Sequence, residues 1–162
     1  MTPIKAVALD VDGVLTDGFF FWGPEGEEFK RFSFRDVMGI SLAKKAGLVF
    51  ALISGEATPQ VDRYAKKMGI TDVHKGCKDK AAALREFAGS RGLPLEQVCF
   101  IGDDVNDLPA LALAGFAAVP GDAHPKVKAA ADYVAQARGG NGAVREILDY
   151  LMDNGAVGPK PS

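Results

Sequence analysis

Two short acidic clusters hold the chemistry of this chain: Asp10-Val11-Asp12-Gly13-Val14-Leu15-Thr16-Asp17-Gly18 and Gly102-Asp103-Asp104-Val105-Asn106-Asp107. Each follows an apolar run that reads as a buried strand, Ala6–Leu9 before the first and Val98–Ile101 before the second. Carboxylates gathered at the carboxyl ends of parallel strands repel one another until a cation offsets their charge, and a hard ion with oxygen ligands, Mg²⁺, suits them. That edge of an open α/β sheet is also where ligands bind. Asp10, directly after its strand, can hold a metal and offer an oxygen nucleophile, and nearby Asp12 is spaced to act as general acid and base. Gly13 lets the chain turn sharply, so that backbone N–H groups can point at an anion. A nucleophilic carboxylate, a metal and a neighbouring acid are the ingredients of phosphoryl transfer through an aspartyl-phosphate.

An isolated Asp-x-Asp-Gly is as readily a turn motif or a fragment of a calcium loop; the remaining residues shift that balance. Ser54-Gly55 follows another apolar strand, Leu48–Ile53, and offers a hydroxyl and free amides to phosphate oxygens. Lys80 opens a helix after Gly76-Cys77-Lys78-Asp79, where its ammonium would offset carboxylates plus phosphate. Asp103 would complete a metal shell, with Asp104 supporting it and Asp107 bracing the loop. Taken singly, the serine reads as a common turn and the lysine as a solvated side chain. In this order, after successive strands or before a helix, they form a specific set.

Elements to position them are visible. Strands are expected at Ile4–Leu9, Leu48–Ile53, Val98–Ile101, Ala117–Val119 and Tyr133–Val134. Helices are expected at Val37–Ala46, Pro59–Met68, Lys80–Ala88, Leu108–Ala114, Pro125–Ala131 and Ala143–Met152, several closed by glycine. The alternation predicts a doubly wound, mainly parallel Rossmann-like α/β sheet with right-handed crossovers. A single domain is expected over 1–154, with a β-hairpin over about 17–32 and a loose tail at 155–162. The hairpin carries Phe19, Phe20, Phe21, Trp22, Phe29 and Phe32, an aromatic load that points to a subunit contact.

Composition sets outer bounds. With 48% apolar and 25% charged residues, the 162-residue chain is that of an ordinary globular protein. A net charge of −2 provides no field to attract nucleic acid. No apolar run is long enough to span a bilayer, and the first residues lead straight into a strand, so the expected location is the cytoplasm. Cys77 and Cys99 lack metal-ligand spacing and read as reduced thiols; His74 and His124 read as structural.

Asp10–Thr16, Ser54-Gly55, Lys80 and Gly102–Asp107 resemble the signature motifs of the haloacid dehalogenase-like hydrolase superfamily, on its phosphatase side because of Asp12. Thr16-Asp17-Gly18, Gly26–Lys30, Asp36–Ile40, Asp122–Pro125 and Gly139–Glu146 are similar to the 3-deoxy-D-manno-octulosonate (KDO) 8-phosphate phosphatase family, from about Ala6 to Leu151. The resemblance implies Asp10 as nucleophile and Mg²⁺ ligand, and Asp12 as acid–base residue that also gives the metal its backbone carbonyl. Asp103 would be the third protein ligand, and Ser54, Gly55 and Lys80 the phosphate site. It further implies a capless homotetramer in which neighbouring subunits close over a phosphorylated sugar acid. Ser33, Phe34, Arg35, Asp36, Val37 and Ser41 would face that sugar, and the Gly139–Arg145 segment, with Arg145 as support, resembles a glycine-rich tail able to reach a neighbouring site.

Two positions depart from the octulosonate pattern: Glu56 and Tyr64 stand where arginines are usual. Glu56 with Lys67 is similar instead to the branch acting on nine-carbon acids such as KDN 9-phosphate, where the two could form an ion pair or contact additional hydroxyls. Glu56 could also simply begin a helix. Both chain lengths remain open, within the class of terminal phosphates on 2-keto-3-deoxy sugar acids. Two rival classes are a phospho-accepting receiver domain and an inactive oligomerisation module of a sugar-activating system. Asp12, a general acid beside the nucleophile, favours turnover over phosphoryl storage, and the complete acidic set argues against inactivity.

Overall fold

A computed structural model describes residues 2–155. The expected tail at 155–162 lies, apart from Gly155, outside the described residues. A parallel six-stranded sheet organises the chain. Its strands are β1 (Ala6–Leu9), β4 (Val49–Ile53), β5 (Asp72–His74), β6 (Val98–Ile101), β7 (Phe116–Val119) and β8 (Tyr133–Val134), in the order β5-β4-β1-β6-β7-β8. Between them run α1 (Phe34–Lys45), α2 (Pro59–Met68), α3 (Lys80–Ser90), α4 (Leu108–Leu113) and α5 (Pro125–Ala130), and α6 (Ala143–Asp153) closes the fold. After β1 the chain winds outward to β4 and β5, then crosses back to place β6 on the other side of β1. Strand order reverses at β1, so the loops after β1 and β6 open into one crevice.

Side-chain alternation sends each central strand into two cores. Val7 and Leu9 of β1, Phe50 and Leu52 of β4, and Cys99 and Ile101 of β6 face the layer of α1, α2 and α6. Ala6 and Ala8, Ala51 and Ile53, and Val98 and Phe100 face the layer of α3, α4 and α5. Burial on both faces explains the uninterrupted apolar runs, and each large side chain so buried contributes roughly 1.5–3 kcal/mol.

The expected elements stand, with local differences. β5 escaped prediction because Asp72-Val73-His74 is a half-buried edge strand with only one apolar residue. α1 begins earlier than expected because Ser33 caps it, its Oγ accepting the Arg35 N–H at 3.2 Å. The hairpin is paired only near its tip and at its base. β2 (Phe21–Trp22) pairs with β3 (Glu28–Phe29) in the register Phe21↔Phe29 and Trp22↔Glu28, and an isolated bridge joins Thr16 to Phe32 at its base. The rings of Phe19, Phe21, Trp22 and Phe29 stay exposed, as do Phe34, Met38 and Leu42 along α1. Both cysteines are free, and no helix of the described residues is long and apolar enough to cross a membrane. His124 caps α5 through Nδ1, which accepts the Lys126 N–H at 3.1 Å.

Candidate active site

The tight turn after β1 is built around Thr16, whose buried Oγ1 accepts the N–H groups of Gly13 and Gly18, each at 3.2 Å. At its start Asp10, 5% exposed, accepts the Val11 N–H at 2.7 Å. Gly13 has φ +83°, and a Cβ there would collide with the Asp103 carboxylate. That lack of a side chain lets the β1 and β6 loops touch. Gly139 and Gly140 press on the same turn from behind. A Cβ on Gly139 would strike the Gly13 carbonyl, and the Gly140 N–H donates to Val14 O at 3.0 Å. The glycine-rich segment packs on its own chain's turn.

Asp107 is the hub of the second loop. Its Oδ2 accepts the N–H groups of Asp103 at 2.8 Å and Asp104 at 3.3 Å, and its Oδ1 accepts from Lys80 Nζ at 2.8 Å. Asp104 and Asp107 cap reciprocally the 3₁₀ turn Val105–Asp107. Lys80, almost wholly buried at the start of α3, also pairs with Asp10 Oδ1 at 3.1 Å. One ammonium thus ties the three expected parts together.

Oxygens of Asp10, Asp103 and Asp107 lie within 4.8 Å of one another. Three carboxylates against one ammonium leave two negative charges uncompensated. Burial, with repulsion from Asp107 and Asp103, lifts Asp10 well above the usual carboxylate range, although Lys80 opposes the shift. Burial pushes Asp103 up to about 7, with Asp107 and Asp104 adding to it against its hydrogen bond with Asp10. For Lys80, burial disfavours the ammonium, but Asp10 and Asp107 outweigh it and hold its pKa above the ordinary value. Clustered hard oxygens with two unbalanced charges fit a divalent cation such as Mg²⁺.

Asp12 keeps its carboxylate outside this trio. Its side chain turns from this trio to Lys30, with Nζ 2.9 Å from Oδ1. The sequence places Lys30 in the Gly26–Lys30 segment without marking it as a site residue, since the hairpin residues show no spacing that predicts this approach.

A cleft of about 820 Å³ opens over these groups, walled by Asp10, Asp12, Lys80 and Asp103 and rimmed by Trp22 and Glu56. Gly55 lines it too; Ser54 does not, because it is fully buried with Oγ accepting the Glu56 N–H at 3.1 Å. A second pocket of about 280 Å³ takes Ser33, Phe34, Val37, Tyr64 and Lys67, and shares Lys30 with the cleft. Glu56 and Lys67 are absent from the ion pairs of the described residues: Glu56 rims the cleft, while Lys67 Nζ lies 5.6 Å from the Phe34 ring centroid. Tyr64 is buried and stacks on Phe32 at 4.7 Å. Arg35 and Ser41 line neither space.

Asp36 is overturned as a sugar contact. It is fully buried and caps α6, accepting the Arg145 N–H at 3.0 Å. Arg145 is structural as well, its Nε donating to Asp149 at 2.8 Å. Gly39 keeps α1 close to α6, where a Cβ would lie 3.1 Å from Arg145 Cα.

A family model described as haloacid dehalogenase-like hydrolase matches residues 67–147. The 3-deoxy-D-manno-octulosonate 8-phosphate phosphatase of Yersinia pestis is 38% identical over 149 residues, covering 92% of this chain and 80% of the relative. The Moraxella catarrhalis phosphatase of that name, solved in complex with magnesium ion, phosphate ion and KDO, superposes with a TM-score of 0.90 at 38% identity, covering 93% of this chain and 86% of the other. The cobalt-bound Haemophilus influenzae enzyme does so with a TM-score of 0.90 at 38% identity, covering 94% and 89%.

Proposed function

The chain belongs to the haloacid dehalogenase-like hydrolases, and within them to the 3-deoxy-D-manno-octulosonate 8-phosphate phosphatase family; from that membership we propose that it is an Mg²⁺-dependent phosphomonoesterase releasing the terminal phosphate of a 2-keto-3-deoxy sugar acid. The observation that carries this reading is the cluster of Asp10, Asp103 and Asp107, paired with Lys80 through Asp10 and Asp107 and short of positive charge beside a turn that presents Asp12.

Asp10 and Asp103 would hold Mg²⁺ with their carboxylates and Asp12 with its backbone carbonyl. When bound, the ion neutralises the nucleophile and the phosphate as a Lewis acid. A carboxylate oxygen of Asp10 attacks phosphorus, and the bond from phosphorus to the sugar oxygen breaks. Asp12 gives that oxygen its proton. Asp12, now a carboxylate, takes a proton from water as the water oxygen attacks the aspartyl-phosphate. The bond to Asp10 breaks, phosphate leaves, and both side chains return to their starting states. Lys80 offsets charge throughout, and the Gly55 backbone, placed by buried Ser54, borders the phosphate.

The sugar acid would occupy the second pocket, against Ser33, Phe34, Val37, Tyr64 and Lys67. Relatives point to the eight-carbon KDO 8-phosphate. Glu56 at the cleft rim favours a second reading, the nine-carbon KDN 9-phosphate, since it sets a carboxylate where an arginine is usual. We further propose one phosphatase domain over 1–154, assembled as a homotetramer whose hairpin aromatics meet a neighbouring subunit that closes the site. Its free cysteines suit the reducing cytoplasm.

Phosphate release should be measured on KDO 8-phosphate, KDN 9-phosphate and simple hexose phosphates, with Mg²⁺ and with EDTA. Strong preference for one keto acid and loss in EDTA are expected. Equal rates on all substrates, or EDTA-resistant turnover, would overturn the reading.

A further inference from the structure

The ion pair between Lys30 and Asp12 gives the hairpin a second task. Lys30 follows β3, its side chain is only 4% exposed, and its Nζ lies 2.9 Å from Asp12 Oδ1 and 3.6 Å from Glu28 Oε2. Among the described residues it is the one cation within ion-pair distance of Asp12. The hairpin that carries it is fixed at its base by the Thr16–Phe32 bridge and by Arg31 on Asp17 at 2.9 Å. Gln60 Nε2 of α2 donates to the Glu28 carbonyl at 2.6 Å and holds it from the side. A desolvated ammonium is thus held against a carboxylate whose side chain is one-third exposed. Gripped at Oδ1 alone, that carboxylate keeps its other oxygen for the leaving group.

We propose that Lys30 is a positioning residue for Asp12, delivered by the hairpin so that the acid–base carboxylate faces the reacting phosphate; the inference rests on the phosphatase reading above. Charge-assisted hydrogen bonds are short and directional, and misplacing a catalytic group by about 1 Å can cost about 10²-fold in rate.

Two substrates separate the half-reactions. Expulsion of p-nitrophenolate needs no proton, whereas a sugar alkoxide does, and hydrolysis of the aspartyl-phosphate needs Asp12 with either substrate. Lys30→Met should lower kcat on the sugar acid phosphate about ten- to a hundredfold, a larger change than the rise in KM expected because Lys30 also lines the second pocket. On p-nitrophenyl phosphate it should give a burst of nitrophenol equal to the active sites, followed by slow turnover. Asp12→Asn should show the same burst, and Lys30→Met with Asp12→Asn should be no slower than Asp12→Asn alone. Lys30→Arg should recover most of the rate. If Lys30→Met does not fold, Lys30→Gln, which keeps a donor without the charge, carries the same test. A rise in KM alone, equal losses on both substrates without a burst, or multiplying effects in the double variant would overturn the assignment. Lys30→Met at the normal rate beside an inactive Asp12→Asn would overturn Lys30 only. A fully active Asp12→Asn would overturn the acid–base reading together with this inference.

Discussion

Lys80 carries more of the site's electrostatics than its single charge suggests, because among the described residues it is the one ammonium paired with the Asp10, Asp103 and Asp107 cluster. Removing it leaves three carboxylates to repel one another at close range. Lys80→Met should lose at least about 10²-fold in kcat and melt lower without metal, with Mg²⁺ restoring part of the lost Tm. Asp10→Asn removes the nucleophile while keeping the shape. It should abolish turnover and leave the melting curve intact; near-normal release of phosphate would exclude Asp10 as nucleophile. Asp103, pushed up to about 7 from an ordinary 3.8, predicts a pH dependence. Between those values the folded protein keeps a proton that the unfolded chain has released. This contribution to stability is full below about 4 and is lost as pH rises through about 7. Mg²⁺ replaces that proton, so the Mg²⁺-induced gain in Tm should be larger at about pH 8 than at about pH 5. Thermal melts with Mg²⁺ and with EDTA at both pH values measure the difference.

Elements of the fold hold the site through contacts distant in sequence. Asp36 on α1 caps α6, which in turn follows the glycine segment pressed against the nucleophile's turn. Asp36→Ala should cost about 1–2 kcal/mol by chemical denaturation and leave KM within about twofold. A KM rise of tenfold at unchanged stability would return Asp36 to the sugar site. Gly39 allows the close approach of α1 and α6 that this cap needs. The sequence marks α1 and α2 by the glycines that close them, Gly47 and Gly69, which are signals read from residues near in the chain. It gave no hint of the cap, since Asp36 and Arg145 become neighbours only when both helices pack on the sheet.

At the scale of the whole molecule, the exposed rings of Phe19, Phe21, Trp22 and Phe29 and the stripe Phe34, Met38 and Leu42 leave a large apolar surface beside the cleft. Burial against further copies of the chain would remove it from water. Sedimentation should show a tetramer, and Phe21→Asp should shift it to smaller species with raised KM. A wild-type monomer at working concentration would exclude closure of the site by a neighbouring subunit. The Lys30–Asp12 pair ties the same hairpin to the chemistry, so loosening the assembly should affect kcat as well as KM.

Residue types and their order determined by themselves the parallel sheet, the loops after β1 and β6, and the convergence of Asp10, Asp103 and Lys80 at one edge. Those features follow from strand ends and alternation, which are local properties. Tertiary structure alone decided which side chains face the cleft. Glu56 and Lys67 went to different spaces, Ser54 turned inward, Asp36 became a cap, and Lys30 came across from the hairpin to Asp12. Side-chain direction depends on what packs behind the backbone, and that packing comes from segments far away along the chain.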